Sequence, residues 1–364
     1  MTAQSPLGEP MDAGGGLPIV DIAGLRKQFR VRAEKFGGKP RMVHAVSDIS
    51  FKLDAGATLG IVGESGCGKS TLARLLMGLT ELDDGGVRIA GVQLSQDPER
   101  LRALRRKVQM VFQDSFASLN PRMTIANSII FGQTVQGVPR AQARTTAHDL
   151  LQRVGLEPGR FATRYPHELS GGQRQRVNIA RALAIRPDVV IFDEAVSALD
   201  KSVEIQVLNL LRDLKEEFGL TYLFISHDLN VVQYISDQVL VMYLGKIVEI
   251  GPVQEVYERP AHPYTRALLA SMPSMDPRRR TLEPPLVGDP PSPIDPPSGC
   301  RFRTRCAHAA ALCASEEPLF STLSNDIAQP HRAACHMLQA EPGSWNASVV
   351  VLPRQKSGQQ GAAS

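Results

Sequence analysis

The sequence lacks any apolar run approaching the roughly 18 residues that a helix needs to cross a bilayer, so no membrane-spanning segment is expected. Its opening residues, MTAQSPLGEPMDAGGG, have neither the basic start nor the apolar core of an export leader, so the cytosol is the expected compartment. A surplus of one charge is missing too. Lys and Arg number 41 and Asp and Glu 37, leaving +4 on 364 residues, too little for a dedicated nucleic-acid binder. No internal repeat is present. Cysteine is sparse, five in all, yet four fall between residues 300 and 335. In a reducing compartment that clustering speaks for a metal or cluster site more than for disulfides. What is there is 43% hydrophobic and 21% charged, the composition of a folded protein long enough for two domains.

Residues 1–18 are rich in Gly, Pro and small polar residues without periodicity and read as a lead-in. From residue 19 to about 250, short β-branched runs alternate with amphipathic stretches, the pattern of a sheet covered by helices. ATLGIV at 57–62 predicts a buried strand, behind which Leu72, Leu75, Leu76 and Leu79 recur at helical spacing. Ala143, Ala147, Leu150, Leu151 and Val154 predict another helix, and Val203, Val207, Leu210, Leu211 and Leu214 a third. The run VVIF at 189–192 and the segment 223–226 read as strands. Nine prolines between Pro273 and Pro297 exclude a helix or central strand and mark a linker, 273–299. The main domain is therefore 19–272, followed by a cysteine-bearing region, 300–340, and a tail, 341–364.

GESGCGKST at 63–71 satisfies G-x-x-x-x-G-K-S in full, between the predicted strand and helix, where a phosphate-binding loop must lie. Gly63, Ser65, Gly66, Cys67 and Gly68 form the backbone cradle, the glycines letting successive N–H groups turn toward an anion. Lys69 reaches the outer phosphates and the Ser70 hydroxyl ligates Mg²⁺. Cys67 is read as a small residue that fits. VVIF then delivers Asp193 and Glu194 at a strand end, one carboxylate to hold Mg²⁺ through water and the next to act as base for the attacking water. In LSGGQ at 169–173, Ser170 can cap the helix that begins there, while Gly171 and Gly172 leave its N–H groups open to an anion, a second half of a phosphate site.

LSGGQ lying about twenty residues before VVIFDE resembles the signature of ATP-binding cassette (ABC) proteins, and Gln113 in VFQD, SALD at 197–200 and His227 in FISHD match that family's pattern in order. The resemblance covers most of residues 19–250. It implies an α/β fold: a P-loop nucleotide-binding domain with a mixed-sheet core, an antiparallel β subdomain and a helical subdomain, followed by a small Cys-containing C-terminal domain. It implies ATP and Mg²⁺ as ligands, with Lys69, Ser70 and Thr71 on phosphate and metal, and Asp193 and Gln113 beside Mg²⁺. Glu194 would be the base, Gln113 would sense the attacking water, and His227 would contact the γ-phosphate. Ser170, Gly171, Gly172 and Gln173 would complete the site of an opposite subunit, with Asp200 lining that interface. Phe29, in GLRKQF, stands roughly where the family has an aromatic stacked on adenine, and Phe36 is its rival. Ala195 replaces the family's usual proline, which implies altered rigidity of that loop rather than lost hydrolysis.

Past residue 250, ERPAHPYTRALLASMP at 258–273, the proline-rich segment and GCRFRTRC resemble the tail of ATPases from oligopeptide and dipeptide importers, as does FQDSFASLNPRMTI at 112–125. Nickel and glutathione importers share much of this pattern. The implied assembly is a head-to-tail dimer with a second ATPase subunit, a paralogue, bound to two membrane-spanning permeases at the cytoplasmic face of the membrane and served by an extracytoplasmic peptide-binding protein. A soluble ABC ATPase acting on ribosomes or DNA is a competing class, but it calls for two cassettes or a long insertion. Here there is one phosphate loop, with Lys69 and Ser170 101 residues apart. An exporter ATPase is disfavoured by the importer-like tail. Cys300, Cys306, Cys313 and Cys335, separated by five, six and twenty-one residues, suit a 4Fe-4S cluster or a tetrahedral Zn²⁺, and the spacing resembles the importers' cluster-binding tail. His308, His331 and His336 are close enough in sequence to substitute as ligands.

Overall fold

The structure is a computed structural model and describes residues 17–31, 40–272, 288–323 and 330–339. Most of the lead-in, Phe36, residues 273–287 of the linker and the tail lie outside the described residues. The strands form two sheets. In the smaller, antiparallel one, β1 (Val20–Val31) pairs with β2 (Arg41–Leu53) on one side and β4 (Asp84–Ile89) on the other, and β5 (Val92–Gln93) adds an edge. In the larger, β3 (Thr58–Val62), β6 (Val108–Val111), β7 (Val189–Asp193), β8 (Thr221–Ile225) and β9 (Gln238–Tyr243) run parallel in the order β9-β3-β8-β7-β6. The hairpin partner β10 (Lys246–Pro252) lies antiparallel to β9.

Every residue of β3, β7, β8 and β9 is buried, which is why these strands read as unbroken apolar runs rather than as alternating ones. Helices α1 (Lys69–Leu76) and α2 (Pro98–Lys107) accompany the first strands. The helical subdomain follows as α3 (Ile125–Val135), α4 (Arg140–Arg153), the single turn α5 (Pro158–Phe161) and α6 (Gly171–Leu183). Beyond β7 come α7 (Lys201–Phe218), α8 (Leu229–Ile235), α9 (Val253–Glu258) and α10 (Pro263–Ala270). The apolar spacing at Leu79 overshoots α1. Gly78, at φ +60, ends that helix: Gly78 N–H donates to the Leu75 carbonyl and Leu79 N–H to that of Arg74, a Schellman stop that leaves Leu79 half exposed. Among the described residues no helix is long and apolar enough to cross a membrane.

The cysteine-bearing region packs on the main domain and continues its sheet. β12 (Arg332–Ala334) pairs with β10, and β11 (Phe320–Thr322) pairs with β12, while the short helix α11 (Leu312–Ser315) carries Cys313. Phe302 is buried with its ring edge-on to Tyr243 at 5.3 Å and beside Tyr264 at 5.4 Å. Glu249, on β10 and 0% exposed, accepts hydrogen bonds from the N–H groups of Ala261 and His262 at 2.8 and 2.9 Å and from His331 Nε2 at 2.7 Å. These donors, His331 foremost, hold its carboxyl below the usual range against the upward push of burial. The carboxylate thus joins β10, the turn before α10 and the strand of the C-terminal region in one buried knot.

His262, in the same knot, is buried and caps α10 by accepting the Tyr264 N–H at its Nδ1, and burial lowers its pKa to about 4. The unfolded chain, with the ordinary value of 6.5, binds more protons between those limits, so this group's contribution to stability is complete above pH 6.5 and is lost as pH falls toward 4. Thermal unfolding scans across that window should show a falling midpoint, and His262→Asn, which keeps a capping oxygen, should flatten the slope.

Candidate nucleotide-binding site

The register of the parallel ladder brings the strand ends level: Ile61 pairs with Ile225, Ile225 with Asp193, and Val111 with Phe192. The loops leaving β3, β6, β7 and β8 therefore open on one edge, the crevice where ligands bind in open α/β sheets. A cleft of about 250 Å³ there is lined by Phe29, Val43, Ala45, Ser65, Gly66, Gly68, Lys69, Ser70, Thr71, Glu194 and Pro293. Gly63, Gly66 and Gly68 all have positive φ, at 148°, 78° and 109°. Two of them also permit close approach: a Cβ on Gly63 would sit 2.2 Å from the Met242 carbonyl, and one on Gly68 2.2 Å from that of Ala45.

Lys69 is 5% exposed, its ammonium donating to the carbonyls of Gly63 at 2.7 Å and Glu64 at 3.0 Å, so the charge lies inside the loop. The Ser70 hydroxyl donates to Asp193 Oδ1 at 2.9 Å. Burial raises the Asp193 pKa, opposed first by Ser70, with Glu194 adding to the rise. These two adjacent oxygen donors form the hard-ligand pair that suits Mg²⁺. Cys67 faces inward, 3% exposed, and burial pushes its thiol up, which makes it a packed, protonated side chain below the cleft rather than part of the lining.

Glu194 stands at φ +50, a left-handed conformation unusual for a side-chain-bearing residue. Its N–H donates to the Ile225 carbonyl at 3.0 Å, and its own carbonyl accepts from the Ser197 N–H and hydroxyl at 3.2 and 2.8 Å. These bonds fix the turn that Ala195, lacking proline's ring, does not. Gln113 Nε2 donates to Glu194 Oε2 at 3.0 Å, and His227 Nδ1 lies 3.5 Å from the same oxygen. Gln113 and His227, from the ends of β6 and β8, thus converge on the Glu194 carboxylate at the end of β7, beside the phosphate loop.

Ser170 accepts the Gln173 N–H at 3.3 Å and Gln173 Oε1 accepts the Ser170 N–H at 3.0 Å, a reciprocal cap on α6. Gly172 has a packing reason that sequence reasoning missed, since a Cβ there would meet Val203 of α7 at 2.5 Å. Asp200 is the N-cap residue of α7. None of Ser170, Gly171, Gly172, Gln173 and Asp200 lines the cleft of this chain. Farther along α6, Asn178 donates to the Ser115 carbonyl at 3.0 Å and Arg181 to that of Ser118, tying the helix to the loop that follows Gln113.

Of the aromatic candidates, Phe29 reaches the cleft, 39% exposed, with Lys27 Nζ 5.4 Å from its ring. Pro293 forms another part of the wall, and its carbonyl accepts the His44 N–H at 2.9 Å. No motif pointed to it, because its position depends on how the proline-rich segment lies against β2. In the tail, burial raises the Cys300 thiol to about 12 and Cys313, Cys335 and Cys306 add to the rise, so the four lie within electrostatic reach of one another. Among the described residues, however, no group of three or more His, Cys, Asp and Glu side chains is arranged to hold a metal ion, and the expected cluster or zinc site is not supported. His331 is engaged by Glu249, and His336 Nε2 donates to the Glu316 carbonyl at 3.1 Å.

A complete phosphate loop, an Asp-Glu pair at the end of β7 and a capped glycine pair on α6 define a nucleotide hydrolase of the cassette type. The family of ABC transporters matches residues 46–197, and the oligopeptide/dipeptide transporter C-terminal region matches residues 248–313. A probable peptide ABC transporter ATP-binding protein of Sinorhizobium fredii is 48% identical over 321 residues, 88% of this chain and 90% of that protein. The oligopeptide transport ATP-binding protein AppF of Bacillus subtilis is 47% identical over 332 residues, 90% of this chain and 99% of its own length. Among solved structures, cbiO1 of Clostridium perfringens, part of the ABC transporter complex cbiONQ, has a TM-score of 0.59 at 26% identity, over 67% of this chain and 92% of that one. The ATP-binding cassette MJ0796, in a dimeric post-hydrolysis state with ADP and Pi, has a TM-score of 0.55 at 28% identity, over 64% and 98%. The chain belongs to the ATP-binding subunits of ABC transporters, in the branch of the oligopeptide transport ATP-binding proteins, and is an ATPase. Gly68→Ala should abolish nucleotide binding in a fluorescent-nucleotide titration while largely preserving the circular dichroism spectrum, since the strain falls on the loop and on its contact with the Ala45 carbonyl of β2.

Proposed function

We propose that this ATPase powers the import of di- or oligopeptides through an ABC permease from the cytoplasmic face of the membrane. The reading rests on one combination: a full cassette site joined to the oligopeptide/dipeptide transporter C-terminal region in a single chain. In this reading ATP sits on residues 63–71, with Phe29 against adenine, while Ser70, Asp193 and Gln113 hold Mg²⁺, which offsets phosphate charge when bound. Glu194 takes the proton of the attacking water, which Gln113 senses, and His227 contacts the γ-phosphate; that both lie beside the Glu194 carboxylate supports those roles. The N-terminus of α6, with Ser170 exposed, serves the ATP of an opposed subunit, with Asp200 at the shared interface. The dimeric state recorded for MJ0796 supports the pairing of two cassettes, and the head-to-tail arrangement is part of the proposal.

The partners are a second, paralogous ATPase subunit, two permeases and an extracytoplasmic peptide-binding protein, and no nucleic acid. The loop after Gln113, exposing Phe116, is the proposed seat for a short permease helix. For the tail, the proposal is that Cys300, Cys306, Cys313 and Cys335 carry a 4Fe-4S cluster, with Zn²⁺ as the alternative; the mutual reach of the four thiols supports it, and the lack of a ligand-like grouping speaks against it.

Affinity purification of the tagged chain from detergent-solubilised native membranes should recover two polytopic permeases and a second ATPase. A nickel or glutathione system would appear as a different binding protein encoded with those partners, and recovery with ribosomes in the soluble fraction would overturn the transport reading. Iron with acid-labile sulfide, against zinc, in the same anaerobic preparation decides the tail. Glu194→Gln should retain ATP binding and lose turnover by about 10²- to 10⁴-fold, with ATP-dependent dimers visible by light scattering; turnover like that of the parent chain would remove Glu194 from the base role.

A further inference from the structure

We infer that Arg305, in the C-terminal region, is a positioning residue of the phosphate loop, cancelling the charge of Glu64 so that the loop presents a positive field to ATP. Glu64 is the second residue of that loop, beside Ser65 and Gly66 in the cleft wall. A carboxylate at this point is electrostatically adverse, since the ligand is a polyanion and the loop's N–H groups and Lys69 are what attract it. Arg305 answers it with a two-pronged contact: Nη1 to Glu64 Oε2 at 2.7 Å and Nη2 to Glu64 Oε1 at 3.0 Å. The arginine side chain is 5% exposed and the glutamate side chain 23% exposed, so water screens the pair far less than a surface one.

The same glutamate is gripped at its main chain. Its N–H donates to the Tyr264 hydroxyl at 2.9 Å, and its carbonyl accepts Lys69 Nζ. Tyr264 in turn packs on Phe302, three residues before Arg305. Arg305 is therefore delivered by a rigid aromatic contact, and it fixes the loop residue whose carbonyl holds the lysine. Pro293, from the same C-terminal stretch, reaches the cleft independently. The C-terminal region is, by this account, a working part of the nucleotide site.

The test uses the full-length chain and fluorescent ATP and ADP analogues. Arg305→Gln leaves the Glu64 charge unmatched and should weaken ATP binding on the order of tenfold, with a smaller loss for ADP, which carries less charge. The steady-state signature is a raised KM for ATP with kcat nearly unchanged. Glu64→Gln combined with Arg305→Gln should restore ATP affinity to within about threefold of the parent, because the unmatched charge is gone, and Arg305→Lys should fall between. Unchanged affinity in Arg305→Gln overturns the inference. So does equal loss for ATP and ADP, or a double variant no better than the single one, since either would mean that the arginine only holds the tail in place. If Arg305→Gln does not fold, Arg305→Lys with and without Glu64→Gln carries the same comparison.

Discussion

The nucleotide site depends on the register of four parallel strands. Because Ile61, Ile225, Asp193 and the end of β6 are level, the phosphate loop, Glu194, His227 and Gln113 leave the sheet at one edge and need only short excursions to meet. A slip of one residue in any of these strands would exchange its two packed faces and carry its loop away from the others. The complete burial of β3, β7 and β8 makes such a slip costly, so the precision of the site comes from the hydrophobic core beneath it rather than from the polar groups that form it.

On that base the polar groups act by opposing their own surroundings. Burial raises the Asp193 pKa and the Ser70 hydroxyl opposes that rise, while the buried ammonium of Lys69 donates to the carbonyls of Gly63 and Glu64. Glu194 is kept in a left-handed conformation by two backbone contacts and a hydroxyl, strain of the kind that persists only where neighbours over-determine it. Asn178 and Arg181 extend the same economy outward, satisfying loop carbonyls after Gln113 and so joining that loop to α6 as one unit.

Much of this was legible in the residues. Strands with unbroken apolar runs, the glycine spacing of 63–71 and the Asp-Glu pair each carry their own physical signature, and β3, α1, α4, β7, α7 and β8 lie where periodicity put them. The end of α1 was not, because the apolar spacing continues to Leu79 while the stop is set by the left-handed Gly78. Pro293 and Arg305 were not, because their importance arises from contacts with residues more than two hundred positions away, which no local pattern encodes. The cysteines were visible as a cluster in sequence, and they approach one another in space, but spacing alone could not say whether their sulfur atoms would form a ligand set.

The knot at Glu249 changes what kind of module the C-terminal region is. An appended domain can be removed and leaves a surface; here removal would turn β10 into an unpaired edge strand and take from Glu249, 0% exposed in the intact fold, the imidazole that answers it. Loss of the His331 imidazole alone, with the carboxylate still buried, costs on the order of 3 to 5 kcal/mol, a large share of the margin on which a domain stays folded. The cassette and its tail are therefore inseparable in the thermodynamic sense. Evolution could lengthen, shorten or decorate the proline-rich connection between them, but it could not delete the far end without first rewriting the interior of the ATPase.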